Sequence, residues 1–216
     1  MVKPAKTIQS AWRMWYDVKP SSDDAKSGFY GDRLQEICDM GSIGDFPVYD
    51  EYMKNPASAP KNSNMYVFRG ASRPMWERFC DGGSWSYKMK RGSSKLAHIW
   101  ENLVRSCLDD GIGSDNVAGI VLGSRANQIS INVWLVSGQT SQLRFEVLER
   151  LRGILKLEEG DEIQYKDFQS SIKDDSSRTN AITYRVNGED PHASYHHKKY
   201  VLPDPLTGSF TFNYNS

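Results

Sequence analysis

An excess of charge of either sign is missing from this chain: Lys and Arg together number 27, Asp and Glu 27, and the formal net charge is zero. Long-range attraction to duplex nucleic acid or to an acidic membrane therefore has no support, and any polyanion must be held by a local cluster. Paired cysteines are missing too. Cys38, Cys80 and Cys107 stand apart without C-x-x-C spacing, which argues against a zinc site and a disulfide framework and for reduced thiols in a reducing compartment. No uninterrupted apolar run approaches bilayer-crossing length, and Met1 to Lys6 lacks the apolar stretch of a signal peptide, so a soluble, cytoplasmic protein without a membrane partner is expected. His192, His196 and His197 come with no Cys or carboxylate arrangement, and neither a metal nor another cofactor is expected.

Aromatic residues are abundant instead: 12% of 216 residues, with six Trp and eleven Tyr. That exceeds what the core of one α+β domain of this length requires, so some should line a binding surface. One pair stands out. In the run Arg69-Gly70-Ala71-Ser72-Arg73-Pro74-Met75-Trp76-Glu77, turn chemistry argues for exposure of both the large aromatic and the carboxylate. Trp offers a stacking face suited to a cationic ring, and an ionised carboxylate accepts two hydrogen bonds from a guanine-like edge with adjacent N–H donors. A rim Trp folded back on the core is the competing reading.

Periodicity predicts a strand over 11–18 with Trp12, Met14 and Tyr16 on one side and Trp15 on the other, so both faces need covering. Residues 21–31 read as a loop that displays Phe29 and Tyr30, and 34–40 as a short strand. A helix is expected to start at 42–45, ahead of Phe46, Tyr49 and Met53. Strands are expected at 65–69 and 84–90, with the Trp76 loop between them. Leu96, Ile99, Trp100, Leu103, Val104 and Cys107 form the apolar stripe of a helix over 94–109, capped by Ser93 or Ser94 and ended by Gly111. Paired strands follow at 117–122 and 128–136, then a second amphipathic helix over 140–156. From Gln169 a surface loop is expected, then a last strand at 181–186 and a tail with the basic aromatic cluster Tyr195-His196-His197-Lys198-Lys199-Tyr200.

The strand at 128–136 places Ile129, Ile131, Val133 and Leu135 on one face and Ser130, Asn132 and Trp134 on the other. A Trp on a polar strand face fits a ligand or a covering element equally well. Arg125, just before this strand, can set a planar, permanently charged fork beside that face.

Taken together, Trp12-x-x-Trp15, Asp45-Phe46, Tyr66-Val67-Phe68, Pro74-Met75-Trp76-Glu77, Gly82-Gly83-Ser84-Trp85, Ile99-Trp100-Glu101 and Arg125-Ala126 ending in Trp134 resemble the mRNA cap-binding translation initiation factor 4E family, over roughly residues 8 to 186. The resemblance implies an α+β fold, a curved antiparallel sheet of about eight strands with about three helices on its convex face. It also implies a concave face that binds 7-methylguanosine. Trp76 matches a stacking Trp, Glu77 the carboxylate that reads the guanine edge, Trp134 the Trp near the N7-methyl, and Arg125 a triphosphate ligand. Tyr30 stands where the family has its first stacking Trp, with Phe29 as the rival. Residues 1–186 would be the cap-binding domain and 187–216 a C-terminal extension. Implied partners are capped mRNA, including hypermethylated caps, and a scaffold factor 4G-like or other 4E-interacting protein.

The chain also departs from the family pattern. Ser84 and Ser130 replace basic residues that would grip the triphosphate; Lys88, Lys90, Lys173 and Arg178 are candidates to compensate. On the expected partner surface of Ile43, Pro47, Trp100 and Glu101, Pro47 replaces a Trp and Glu101 an apolar residue. The expected function is recruitment of capped mRNA to the translation initiation machinery without covalent chemistry. The alternatives are a cap-occupying repressor and a cap or nucleotide hydrolase built on Asp109-Asp110, Glu158-Glu159 or Asp174-Asp175.

Overall fold

The computed structural model describes residues 7–19, 30–42, 56–109, 111–112, 115–138, 140–186 and 195–197, with backbone alone at 7–10, 30, 41–42 and 195–197. Its strands are β1 (Thr7–Val18), β2 (Gln35–Ser42), β3 (Ser63–Arg69), β4 (Gly83–Lys90), β5 (Val117–Ser124), β6 (Gln128–Leu135), β7 (Glu162–Asp167), β8 (Ile182–Val186) and β9 (Tyr195–His197). They pair antiparallel in one sheet, in the order β2-β1-β3-β5-β6-β4-β7-β8-β9. Three helices complete the described residues: α1 (Leu96–Leu108), α2 (Ser141–Leu155) and α3 (Phe168–Asp174).

Alternation along the strands sends two sets of side chains to two faces, and both sets are apolar enough to need burial. On one face Met14, Val67, Trp85, Ile120, Ile131 and Val133 pack against the apolar stripes of α1 and α2. Trp85 sits at the centre, its indole Nε1 donating to the Arg144 carbonyl at 3.1 Å. On the opposite face a smaller cluster gathers Trp15, Tyr66, Phe68, Phe79, Trp134 and Phe168. The expectation that β1 carries aromatics on both sides is met: Trp12 lies in the first cluster and Trp15 in the second.

Helix ends follow local chemistry with one correction. Thr140 caps α2, its Oγ1 accepting from Leu143 N at 3.3 Å, and Lys156 ends it in the left-handed region at φ 51°. At α1, neither Ser93 nor Ser94 serves as the cap. Lys95 holds that position with no side-chain bond, and only the Ser93 carbonyl accepts, from Leu96 N at 3.2 Å.

Three elements are absent from the sequence reading: β7, α3 and the short β9. β7 has just two buried apolar residues, Ile163 and Tyr165, among polar ones. The loop expected from Gln169 is instead α3, started by the Asp167 carboxylate, whose Oδ1 accepts from Ser170 N at 2.7 Å. α3 packs against β4, β7 and the Trp76 turn. Of the tail, the backbone of Tyr195–His197 pairs with β8. The helix expected from 42–45 through Met53 lies outside the described residues, as does the remainder of the tail.

Gly119 joins the sheet to the second cluster. It pairs with Phe68 on one side and Trp134 on the other, and a Cβ there would meet Phe68 Cδ2 at 2.5 Å and the Val67 carbonyl at 2.7 Å. Lacking a side chain, it lets the Phe68 and Trp134 rings meet edge to face with centroids 5.2 Å apart. Gly119→Ala should therefore lower stability by about 1–3 kcal/mol through overpacking, seen as a lower urea midpoint with an unchanged m value.

Candidate functional site

The second aromatic cluster is the floor of the site, and the loop between β3 and β4 is its wall. Gly70 turns the chain out of β3 at φ 62°. Met75 is extended, and Trp76–Arg78 then forms one 3-10 turn, closed by Arg78 N to the Met75 carbonyl at 3.1 Å and Phe79 N to the Trp76 carbonyl at 2.9 Å. Gly82 returns the chain against β6 so closely that a Cβ would lie 1.9 Å from the Leu135 carbonyl oxygen. The loop is thus tied at both ends and packed in the middle through buried Phe79.

Trp76 and Glu77 take different positions on this turn. The Trp76 ring is half-buried, resting with Met75 on the cluster. Glu77 is exposed and makes no hydrogen bond or ion pair among the described residues. A carboxylate beside a part-open indole is the arrangement that a flat ring with donor N–H groups on one edge requires.

Trp134 lies on the expected face of β6, but it is 7% exposed. The Phe168 ring covers it at 4.6 Å and Phe79 stands edge-on at 6.1 Å. The covering-element reading of this residue is met, since α3 supplies the Phe168 ring that packs on it. Tyr30 begins a 3-10 turn, Tyr30–Arg33, whose following residue Leu34 is buried in the same cluster. Phe29 lies outside the described residues.

Arg125 is fixed at the far end of the same face. Its Nη1 donates to the carbonyls of Ser63 at 3.1 Å and Ser124 at 2.8 Å, and its Nη2 to Asn64 Oδ1 at 2.9 Å. Asn64 is itself oriented by Asp17, whose Oδ1 accepts from Asn64 Nδ2 at 2.6 Å and from the Tyr66 hydroxyl at 2.8 Å. Buried Asp17 thereby aims a cation that it does not touch. Sequence reasoning missed Asp17, Phe79 and Phe168; the parity of Asp17 with Trp15 on β1 was the available signal.

The expected partner surface is only partly present. Trp100 is 1% exposed and packs in the core, so it offers no surface, because the α1 stripe turns it toward the sheet. Glu101 is half-buried and bridges to Arg105 one turn on, at 2.9 Å. Ile43 and Pro47 lie outside the described residues.

A sheet with helices on one face and a second aromatic cluster on the other agrees with the comparison to known proteins. The model of the family "Eukaryotic initiation factor 4E" matches residues 7–183. This chain belongs to the eukaryotic initiation factor 4E family. Among curated 4E relatives, the rice (Oryza sativa subsp. japonica) eukaryotic translation initiation factor NCBP is 29% identical over 170 residues, which cover 77% of this chain and 73% of the relative. The Dictyostelium discoideum eukaryotic translation initiation factor 4E is 26% identical over 176 residues, 80% of this chain and 68% of the relative. Among solved structures, the complex of C. elegans eIF4E-3 with the 4E-binding protein Mextli and a cap analog superposes with a TM-score of 0.70 at 18% identity, covering 78% of this chain and 96% of that one. Ascaris suum eIF4E-3 with an m2,2,7G cap gives 0.67 at 20% identity, covering 75% and 91%. The 4E fold is therefore kept despite low identity.

The two tryptophans should separate in denaturation. Trp134→Ala removes a nearly buried ring from the floor and should cost about 3–5 kcal/mol. Trp76→Ala removes a half-exposed one, and its loss of stability in the same urea titration should stay below about 1.5 kcal/mol.

Proposed function

We propose that this 4E-family chain binds the 7-methylguanosine cap of mRNA and recruits capped mRNA to the translation initiation machinery, with Tyr30, Trp76, Glu77, Arg125 and Trp134 forming its site. One observation carries the residue assignment: Trp76 and Glu77 are consecutive on a tied 3-10 turn, the ring part-open and the carboxylate without a partner among the described residues. Methylation at N7 gives guanine a delocalised positive charge that electron-rich rings attract from either face. Stacking contributes ~1–3 kcal/mol per base and the desolvated cationic component up to ~2. Glu77 selects guanine over adenine, whose edge leaves the carboxylate without its donor pair. The naming of relatives as initiation factors, and the neighbours solved with cap ligands, support this reading.

The cap-binding domain is read as residues 1–186 and the rest as an extension, in a cytoplasmic protein. No helix among the described residues is long and apolar enough to cross a membrane. One member of each acidic pair that a hydrolase would need is engaged elsewhere: Asp109 Oδ1 accepts from Gly111 N, Glu158 pairs with Lys95, and Asp174 with Lys166. Binding without covalent chemistry is therefore the better reading. Glu101, occupied by Arg105 where an apolar residue is expected, favours a changed partner over the usual scaffold peptide. Recovery of no scaffold protein in a pull-down on the native chain would assign the repressor role instead.

Tryptophan fluorescence titration tests the pocket. 7-Methyl-GTP should bind at least about tenfold more tightly than GTP, since the cationic component is lost with the methyl group. Trp76→Ala should weaken binding by about tenfold or more, as should Tyr30→Ala, while Glu77→Gln should narrow the preference for guanine over adenine nucleotides. Equal quenching by 7-methyl-GTP and GTP would end the cap reading.

A further inference from the structure

The two positions where the family pattern has phosphate-gripping cations, 84 and 130, both hold Ser, and each Ser stands directly across the ladder from a Lys. Ser130 on β6 pairs with Lys88 on β4, and Ser84 on β4 pairs with Lys166 on β7. Directly opposed residues share a face with Cβ atoms about 4.5–5.5 Å apart. Each missing cation is therefore present one strand over, on the ligand side of the sheet.

The two lysines differ in what they have left to offer. Lys166 is 4% exposed. Its ammonium donates to Asp174 Oδ2 and the Ser176 carbonyl, both at 2.9 Å, and to the Thr179 carbonyl, so all three donors are taken. It pins the turn after α3, and that turn carries Arg178, whose backbone N donates to Ser176 Oγ at 3.1 Å. Lys88 is half-buried and has one partner, Gln164 Oε1 at 2.7 Å, leaving two N–H donors that no described residue takes.

These charges gather around one lane of the open face. A methyl group on Gly123 would lie 2.7 Å from Ser130 Oγ and 3.6 Å from Arg125 Nη1, so both groups front the same bare spot, with Lys88 the cross-strand neighbour of Ser130. Burial and then the charge of Arg178 hold the Lys88 pKa below its ordinary value. Burial also lowers that of Lys19, and the charges of Arg125, Arg178 and Arg33 lower it further, while Asp17 opposes them. Asp17 Oδ1 is already occupied by Asn64 and Tyr66. A lane of mutually repelling cations with one buried carboxylate beside it favours an anion with several charges.

We propose that Lys88 and Arg178, together with Arg125, hold the polyphosphate bridge of the cap, and that Lys166 is a positioning residue that sets the turn bearing Arg178. The cation lost at 130 has moved across the ladder from β6 to β4, and the one lost at 84 has become a buried tether. This assignment rests on the cap reading above and deepens it by giving roles to Lys88 and Lys166.

Fluorescence titration of the full chain with 7-methylguanosine mono-, di- and triphosphate tests it. Native protein should gain affinity along that series. Lys88→Met and Arg178→Ala should each lower triphosphate affinity by about tenfold or more, while monophosphate affinity stays within about threefold. The swap Lys88→Ser with Ser130→Lys should restore most of the triphosphate gain, and Lys173→Ala should leave it unchanged. Lys166→Met should speed amide exchange over residues 174–181, and its loss should be less than additive with Arg178→Ala. Should that variant fail to fold, Asp174→Ala, which cuts the same tether at its less buried end, should show the same non-additive loss. An unchanged triphosphate-to-monophosphate ratio in Lys88→Met, or equal losses for both ligands, would overturn the phosphate assignment and leave the cap reading standing. Failure of the native chain to prefer 7-methyl-GTP over GTP would remove both.

Discussion

The edge-to-face contact of Phe68 with Trp134, across the side-chain gap at Gly119, is the constraint on which the binding face depends. A sheet covered by helices on one side normally leaves the other polar and wet. Here the second side carries enough aromatic area to form a core of its own, and that core supports the Trp76 turn through Phe79 and Met75. Were Gly119 any larger residue, Phe68 and Trp134 would part, and the turn would lose the surface against which it is held. The pocket is therefore a core left incomplete, with Trp76 as its partly open edge.

Rigidity and openness are divided between neighbouring residues. Phe79, the last ring of the loop, is buried and anchors it, whereas Glu77, two residues earlier, is exposed and bonds to none of the described residues. A single 3-10 turn sets that contrast, because its three residues per turn point successive side chains in different directions. A binding carboxylate needs this placement: free of protein partners, yet unable to wander, so that little order is lost when a base edge arrives. Asp17 makes the same point at the other end of the site, where burial and two hydrogen bonds fix the amide that aims Arg125.

Much of this was legible in the sequence because it follows from period. The two-residue alternation of β6 placed Trp134 on the face opposite the helices, and the aromatics on both sides of β1 required a second cluster. The 3.6-residue stripes gave α1 and α2 to within one or two residues. β7 and α3 were hidden for a physical reason: two apolar residues in a six-residue strand, and a seven-residue helix whose inward contacts are chiefly Phe168 and Ser171, carry too little periodic signal. Without them the element that covers Trp134 stayed unidentified, because its ring is supplied by α3. Trp100 was misassigned for the reverse reason: a large aromatic on an apolar stripe is core unless something turns it outward, and nothing in α1 does.

The ladder also explains how a phosphate grip can be lost from one strand without being lost from the protein. An isolated loop lysine has no fixed neighbour, so its replacement removes the charge from the site. In an antiparallel sheet each position has a cross-strand partner on the same face, and a cation there reaches nearly the same space from a different backbone. Selection acting on the charge at a point, not on the residue that carries it, can therefore move the lysine between β6 and β4 at little structural cost. The same move at position 84 has a different outcome, because Lys166 lies under α3 and the turn that follows it, where an unpaired ammonium would be costly to bury. Its three hydrogen bonds relieve that cost and tie down residues 174–180. In the proposed assignment one substitution thus yields a ligand and the other a tether, and the difference follows from whether anything covers the strand.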